Sequence, residues 1–241
     1  MTTQSPAPNR AGSVTSSRFP LGLHWAIGWA GVIATLALIG FYVPSAERTI
    51  GESYLIFFFH FPSAVNCLNF FVIAGFVSLI YLLKPSASAD WWAASAVEVG
   101  LLACSVTLVT GSLWAKAAWG VYWDVQDPRL MSVAIMWLTF AGYIALRSTI
   151  EEPTRRALFS AVFGVIAAIN VPIVYYSIQW FGVSHHPMKV DLAAREMIIT
   201  RWTGAAVFFV VYAAYWRLRR QVHEEMHEVR ALEDAFGRAG I

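Results

Sequence analysis

Residues 91–113 read WWAASAVEVGLLACSVTLVTGSL, twenty-three residues with a single charge at Glu98. A helix needs about 20 predominantly apolar residues to cross a bilayer core, and this run is long enough. Five further stretches qualify: 24–43, 62–83, 130–147, 157–177 and 198–216. Strand-like alternation is absent, which argues against a transmembrane β-barrel. The fold class is therefore an all-α integral membrane protein with six transmembrane helices and short connections. The composition agrees: 58% of the 241 residues are apolar and only 13% are charged, against roughly 25% charged in a soluble domain. A soluble globule could not cover that much apolar surface, and disordered chains are poor in the residues that abound here. Cys67 and Cys104 both fall inside apolar runs and read as buried small hydrophobes rather than a disulfide.

Residues 1–23 form a polar tail containing Arg10 and Arg18. The apolar run behind it, Ala26 to Val43, is longer than the roughly 7–15 residues of a signal-peptide core, so it reads as an uncleaved span. Residues 24–216 make the membrane domain, and 217–241 a cytoplasmic amphipathic helix. Orientation follows from Lys and Arg, which concentrate in cytoplasmic segments. The two tails, the 84–90 turn and the 147–156 loop hold eleven of the seventeen; the other three loops hold six. Both termini are thus expected in the cytoplasm of a multi-pass inner-membrane protein. The outward loops, about 44–61, 114–129 and 178–197, are the longer ones. The net charge of +2 predicts no nucleic-acid partner.

The chain carries 11 Trp, 16 Phe and 9 Tyr. An interfacial aromatic belt accounts for Trp25, Trp91, Trp92, Trp202 and Trp216 at span ends. It accounts less well for the stretch after span three, where Trp114, Trp119 and Trp123 lie among Tyr122, Asp124, Asp127 and Arg129. A flat apolar platform for a planar ligand is the sharper reading. His60 sits in the aromatic run before Pro62, and His185 and His186 follow Trp180 and Phe181. Imidazole is the commonest metal ligand and a standard axial ligand of haem iron. An iron porphyrin also needs an aromatic rim and cations for its propionates, and the three outward loops jointly supply each item. No histidine falls near mid-span, where a transmembrane electron-transfer cytochrome would need one.

At these residues the chain resembles the haem-handling membrane proteins of cytochrome c biogenesis, most closely the heme exporter protein C family. The resemblance covers residues 24–216. It rests on the tryptophan-rich segment Trp114 to Trp123 with Asp127-Pro128-Arg129-Leu130. It rests also on Gly51-Glu52-Ser53-Tyr54 leading to His60-Phe61-Pro62, and on Asn170-Val171-Pro172 leading through Trp180 to His185. The resemblance implies transient haem b at the outer face with His60 and His185 as its two axial ligands and His186 as a bystander. The tryptophan-rich segment, Trp114, Trp119, Gly120, Tyr122, Trp123, Asp124, Asp127 and Arg129, would lie at the haem edge. It further implies presentation of haem to a periplasmic haem chaperone, together with ABC transporter subunits and a small membrane accessory protein. The role is handling rather than catalysis, so no enzyme is implied.

Two departures stand out. After Trp123 the chain has one extra residue and lacks the family's last Trp, so either Asp124 or Asp127 can be the equivalent acid. Where relatives often carry an Arg before the first histidine, this chain has Leu55. That leaves Arg129, with Arg48 or Arg201, as the propionate cation. Two other readings remain at this point. One is a haem-binding anchor subunit of an oxidoreductase. The other is a small-solute transporter without haem, which the lack of mid-span charge disfavours.

Two further patterns have bland readings. His223-Glu224-Glu225-Met226-His227 matches the HExxH zinc motif. It sits on the flanks of an apolar stripe made by Leu218, Val222, Met226, Val229, Leu232 and Phe236, which suggests a solvated amphipathic helix along the inner surface or on a partner. Pro172 is expected to bend span five.

Overall fold

A computed structural model describes residues 21–43, 52–182 and 194–239. Six helices are long and apolar enough to cross a membrane, and no strand occurs among the described residues. Helix α1 is Leu21–Phe41. A 3-10 turn at Glu52–Ile56 leads into α2, Phe57–Leu83. Helices α3 (Ala87–Trp119) and α4 (Pro128–Thr149) follow. The fifth crossing is divided into α5, Pro153–Ala168, and α6, Asn170–Phe181. Helix α7 runs from Arg195 to Ala239.

Local chemistry sets these boundaries. The Ser86 side chain accepts from Ala89 N at 3.2 Å and caps α3. Glu152 accepts from Thr154 N and Arg155 N, with Pro153 in the first turn of α5, a position where its missing N–H is no loss. The two N–H donors hold the exposed Glu152 carboxylate below its ordinary pKa. The expected bend in span five is an interruption at Ile169. Pro172 has no N–H for the carbonyl one turn back, and the Asn170 amide donates to Ala167 O at 3.1 Å.

Three expected boundaries move. Trp114 and Trp119 belong to α3 rather than to a loop, because α3 continues through Ala115, Ala117 and Ala118 to Gly120. Its 33 residues span about 50 Å, well beyond the bilayer core. His60 likewise lies inside α2, in its first turn. The segment expected to form a distinct helix from 217 is continuous with the sixth crossing, since α7 has 45 residues without interruption.

Helices α2 and α3 form the centre. Phe71 of α2 stacks on Phe140 of α4 at 3.8 Å and 4°. Gly100 of α3 lies directly beneath, where a Cβ would come within 2.6 Å of the Phe71 ring. Helix α1 is peripheral and packs on α7, with Gly31 against Val207; its Trp29 and Ile33 face outward, as lipid contact requires. Cys67 and Cys104 are buried and free.

The end of the bundle holding the α2–α3 and α4–α5 turns is closed by ion pairs. Arg147 makes a two-pronged bond to Asp90 at 2.6 and 3.0 Å. Glu98, the carboxylate within span three, accepts from Arg219 at 2.6 and 3.1 Å and lies 3.1 Å from His223 Nε2. His227 packs on Trp91, and Arg220 pairs with Glu224 while lying over Trp91 and Trp92. The HExxH residues thus fasten α7 to α3. Among the described residues no group of three or more His, Cys, Asp or Glu could hold a metal. Trp92 and Trp216 meet inside this cluster, with Trp216 Nε1 donating to Trp92 O at 3.0 Å, so they pack α3 against α7. His24 joins the same end through Arg217, 2.8 Å away, which places residues 217–239 on the side where α1 begins.

Candidate haem site

At the opposite end, helices α2, α3, α4, α6 and α7 surround a cavity of about 550 Å³. That lies in the roughly 300–1,000 Å³ range of cofactor pockets. Helix α2 contributes Phe57, His60, Phe61, Ala64 and Leu68, spaced three or four apart so that they share one face. Helix α3 contributes Thr107, Leu108 and Trp114; α4 contributes Arg129, Leu130 and Val133; α6 contributes Val174 and Tyr175; α7 contributes Arg201 and Trp202. Trp123, in the connection between α3 and α4, completes the wall.

His60 is wedged between helices. Its ring centroid is 5.9 Å from that of Trp114, and its Nδ1 lies 3.2 Å from the Thr110 hydroxyl. Trp114 in turn packs against Phe57 at 5.7 Å. The Arg201 guanidinium lies 5.2 Å over both Phe61 and Trp202, whose rings meet edge-on. Its helix is anchored beside α2 by Asn66, which donates to Pro62 O and across to Ala205 O at 3.0 Å.

Arg129 is placed by its neighbour Asp127. The fully buried Asp127 carboxylate caps α4, accepting from Arg129 N and Leu130 N at 3.0 Å each. The Arg129 side chain donates from Nη2 to Tyr175 O at 3.2 Å, tying α4 to α6. Asp127→Ala is expected to cost about 0.5–2 kcal/mol of stability, as N-cap removal does, and to loosen Arg129; denaturant unfolding in detergent measures the loss.

Of the residues singled out in the sequence, His60, Trp114, Trp123 and Arg129 line the cavity together. Trp119, Gly120, Tyr122, Asp124 and Asp127 do not. Trp119 ends α3, and Gly120 closes it in the left-handed conformation at φ 79°, which glycine adopts without penalty. Tyr122 is exposed beneath the Lys116 ammonium. Asp124 accepts from Gln126 N in the turn. The two candidate acids therefore have different local structural roles: Asp124 braces the turn and Asp127 caps the helix. His185, His186 and Arg48 lie outside the described residues.

The cavity also includes residues that sequence reading undervalued. Trp202 was expected in the membrane belt, yet it lines the cavity with Phe57, Phe61 and Tyr175. Arg201 was one alternative among three cations. Leu55, five residues before His60, packs in an apolar cluster with Val43, Tyr54 and Phe57. The usable signal was the pair Arg201-Trp202 near the start of the sixth span.

Three lining residues, Trp114, Arg129 and Arg201, each carry a buried ring or Nε nitrogen without a hydrogen-bond partner among the described residues. Unpaired buried donors are uncommon and costly in native proteins. Trp114 Nε1, Arg129 Nε and Arg201 Nε thus favour a ligand with acceptor oxygens, while the apolar and aromatic walls favour a flat, largely apolar body. An imidazole stands beside them. The set suits a porphyrin bearing carboxylates.

Fold and cavity define a six-span helical membrane protein with a histidine- and arginine-lined ligand site at one end. Comparison with known proteins agrees: the family model for heme exporter protein C matches residues 7–233. The chain belongs to the heme exporter protein C family. The heme exporter protein C of Bradyrhizobium diazoefficiens is 31% identical over 168 residues, 70% of this chain and 64% of that relative. Its counterpart in Escherichia coli K12 is 28% identical, covering 74% of this chain and 76% of the relative. That of Paracoccus denitrificans is 24% identical over 87% and 89%.

Proposed function

We propose that this protein binds haem b in the cavity at the outer face of the bacterial inner membrane. From there it presents the haem to a periplasmic haem chaperone during cytochrome c maturation. The observation that carries the reading is the trio of buried, acceptor-seeking nitrogens on Trp114, Arg129 and Arg201, set in an aromatic cavity beside His60. His60 supplies one axial imidazole and His185 the other. Arg129 and Arg201 hold the propionates, with Arg201 standing in for the cation that Leu55 lacks. Trp114 and Trp123 meet the ring edge.

Haem here is cargo. This chain's residues bind, orient and release it, and the role is handling rather than catalysis. The Lys and Arg distribution supports a cytoplasmic placement of both termini. The family's role supports ABC transporter subunits and a small membrane accessory protein as partners.

Hemin and its dimethyl ester differ only at the propionates, so titrating both into the purified protein tests the site. Charge-assisted hydrogen bonds contribute about 1.5–3 kcal/mol, or roughly 10–100-fold in affinity. The ester is expected to bind weaker by at least that lower factor, and Arg201→Met is expected to narrow the difference. Equal affinity for hemin and ester in the wild type contradicts the assignment.

A further inference from the structure

We propose that Thr110 and Gly111, neighbours on α3, form a seat for His60 that keeps the proton on Nδ1 and so makes Nε2 the nitrogen offered to iron. The second half rests on the haem reading above; the seat itself does not. Thr110 Oγ1 lies 2.7 Å from Val106 O and 3.3 Å from Thr107 O. Carbonyl oxygens only accept, and a hydroxyl has one proton to give. That proton is therefore committed to the backbone of the preceding turn. What Thr110 turns toward His60 Nδ1, 3.2 Å away, is a lone pair. The imidazole must donate, so Nδ1 carries the hydrogen. A neutral imidazole has a single N–H, and Nε2 is then the lone-pair nitrogen.

Gly111 supplies the space. A Cβ at this position would come within 2.9 Å of His60 Cε1 and 3.3 Å of Nδ1. The ring thus lies against bare α3 backbone, with Trp114 one turn further on as a side wall. Thr110 fixes the tautomer and Gly111 the position. Outer-shell partners of this kind orient a metal-binding imidazole, and their loss typically costs about 10–100-fold in affinity. Thr110 is a positioning residue, acting through His60.

The test uses the full chain, haem-free and ¹⁵N-labelled at histidine, with the His60 signals assigned by difference against His60→Ala. The wild type is expected to show a protonated Nδ1 and an unprotonated Nε2. Thr110→Val keeps the shape but offers no lone pair; it is expected to shift His60 toward the Nε2–H tautomer and to weaken hemin binding roughly 10–100-fold. Thr110→Ser is expected to restore both. Gly111→Ala is expected to weaken hemin binding with the Thr110 hydroxyl still present. A wild-type His60 protonated at Nε2, a tautomer unmoved by Thr110→Val, or a serine variant that behaves like valine overturns the seat. A wild type with the Nδ1–H tautomer that takes up no hemin overturns the haem reading instead, and with it the offer of Nε2 to iron.

Discussion

If the cavity holds haem as proposed, replacing His60 with alanine is expected to remove most of the haem bound by the purified protein. Outer-shell changes around a metal-binding histidine already cost roughly 10–100-fold, and removing the imidazole itself is expected to exceed about 100-fold. The fold should survive, because His60 sits at the end of α2 beside a cavity rather than in the Phe71–Phe140 core. Added imidazole fits the space vacated between Thr110 and Trp114 and is expected to recover part of the pigment. His24→Ala provides the control: His24 lies beside Arg217 at the other end of the bundle and its loss should leave the pigment intact. Pigment retained at wild-type level in His60→Ala would remove His60 from the site.

The largest effect on stability is expected at Arg147. Its side chain and that of Asp90 are only 11% and 10% exposed, and their two-pronged bond joins the start of α3 to the end of α4. Removing one partner of a buried pair leaves the other charge uncompensated, at a cost of about 3–5 kcal/mol. Arg147→Ala should therefore unfold much earlier in a denaturant or thermal series. Replacing both partners with neutral residues of similar size is often close to neutral, so Asp90→Asn combined with Arg147→Met is expected to recover most of the loss. A double variant as unstable as the single one would show that packing of the Arg147 stem, and not the charge pair, holds this end together.

The crossings were legible because a bilayer demands apolar length, and each of the six runs satisfies that demand by itself. Their ends were less so. Lys116 and the Arg217–Arg220 cluster look like loop by hydropathy, yet helix continues through both, because backbone hydrogen bonding does not stop where the apolar run does. Asp127-Pro128 was a readable helix start, and Asp127 caps α4. His60 was readable from its aromatic surroundings. Its seat was not: Thr110 is fifty residues away, and only the packing of α2 on α3 brings them together. Arg201 depends in the same way on Asn66 reaching Ala205 across 139 residues. The HExxH motif shows the converse, a local pattern whose meaning lies with Glu98, 125 residues distant from His223.

The most direct measurement is the absorption spectrum of the 241-residue chain purified in mild detergent from haem-replete cells. Haem held by His60 in the cavity predicts a Soret band in the wild type that hemin titration saturates. A colourless wild-type preparation that takes up no added hemin would contradict it.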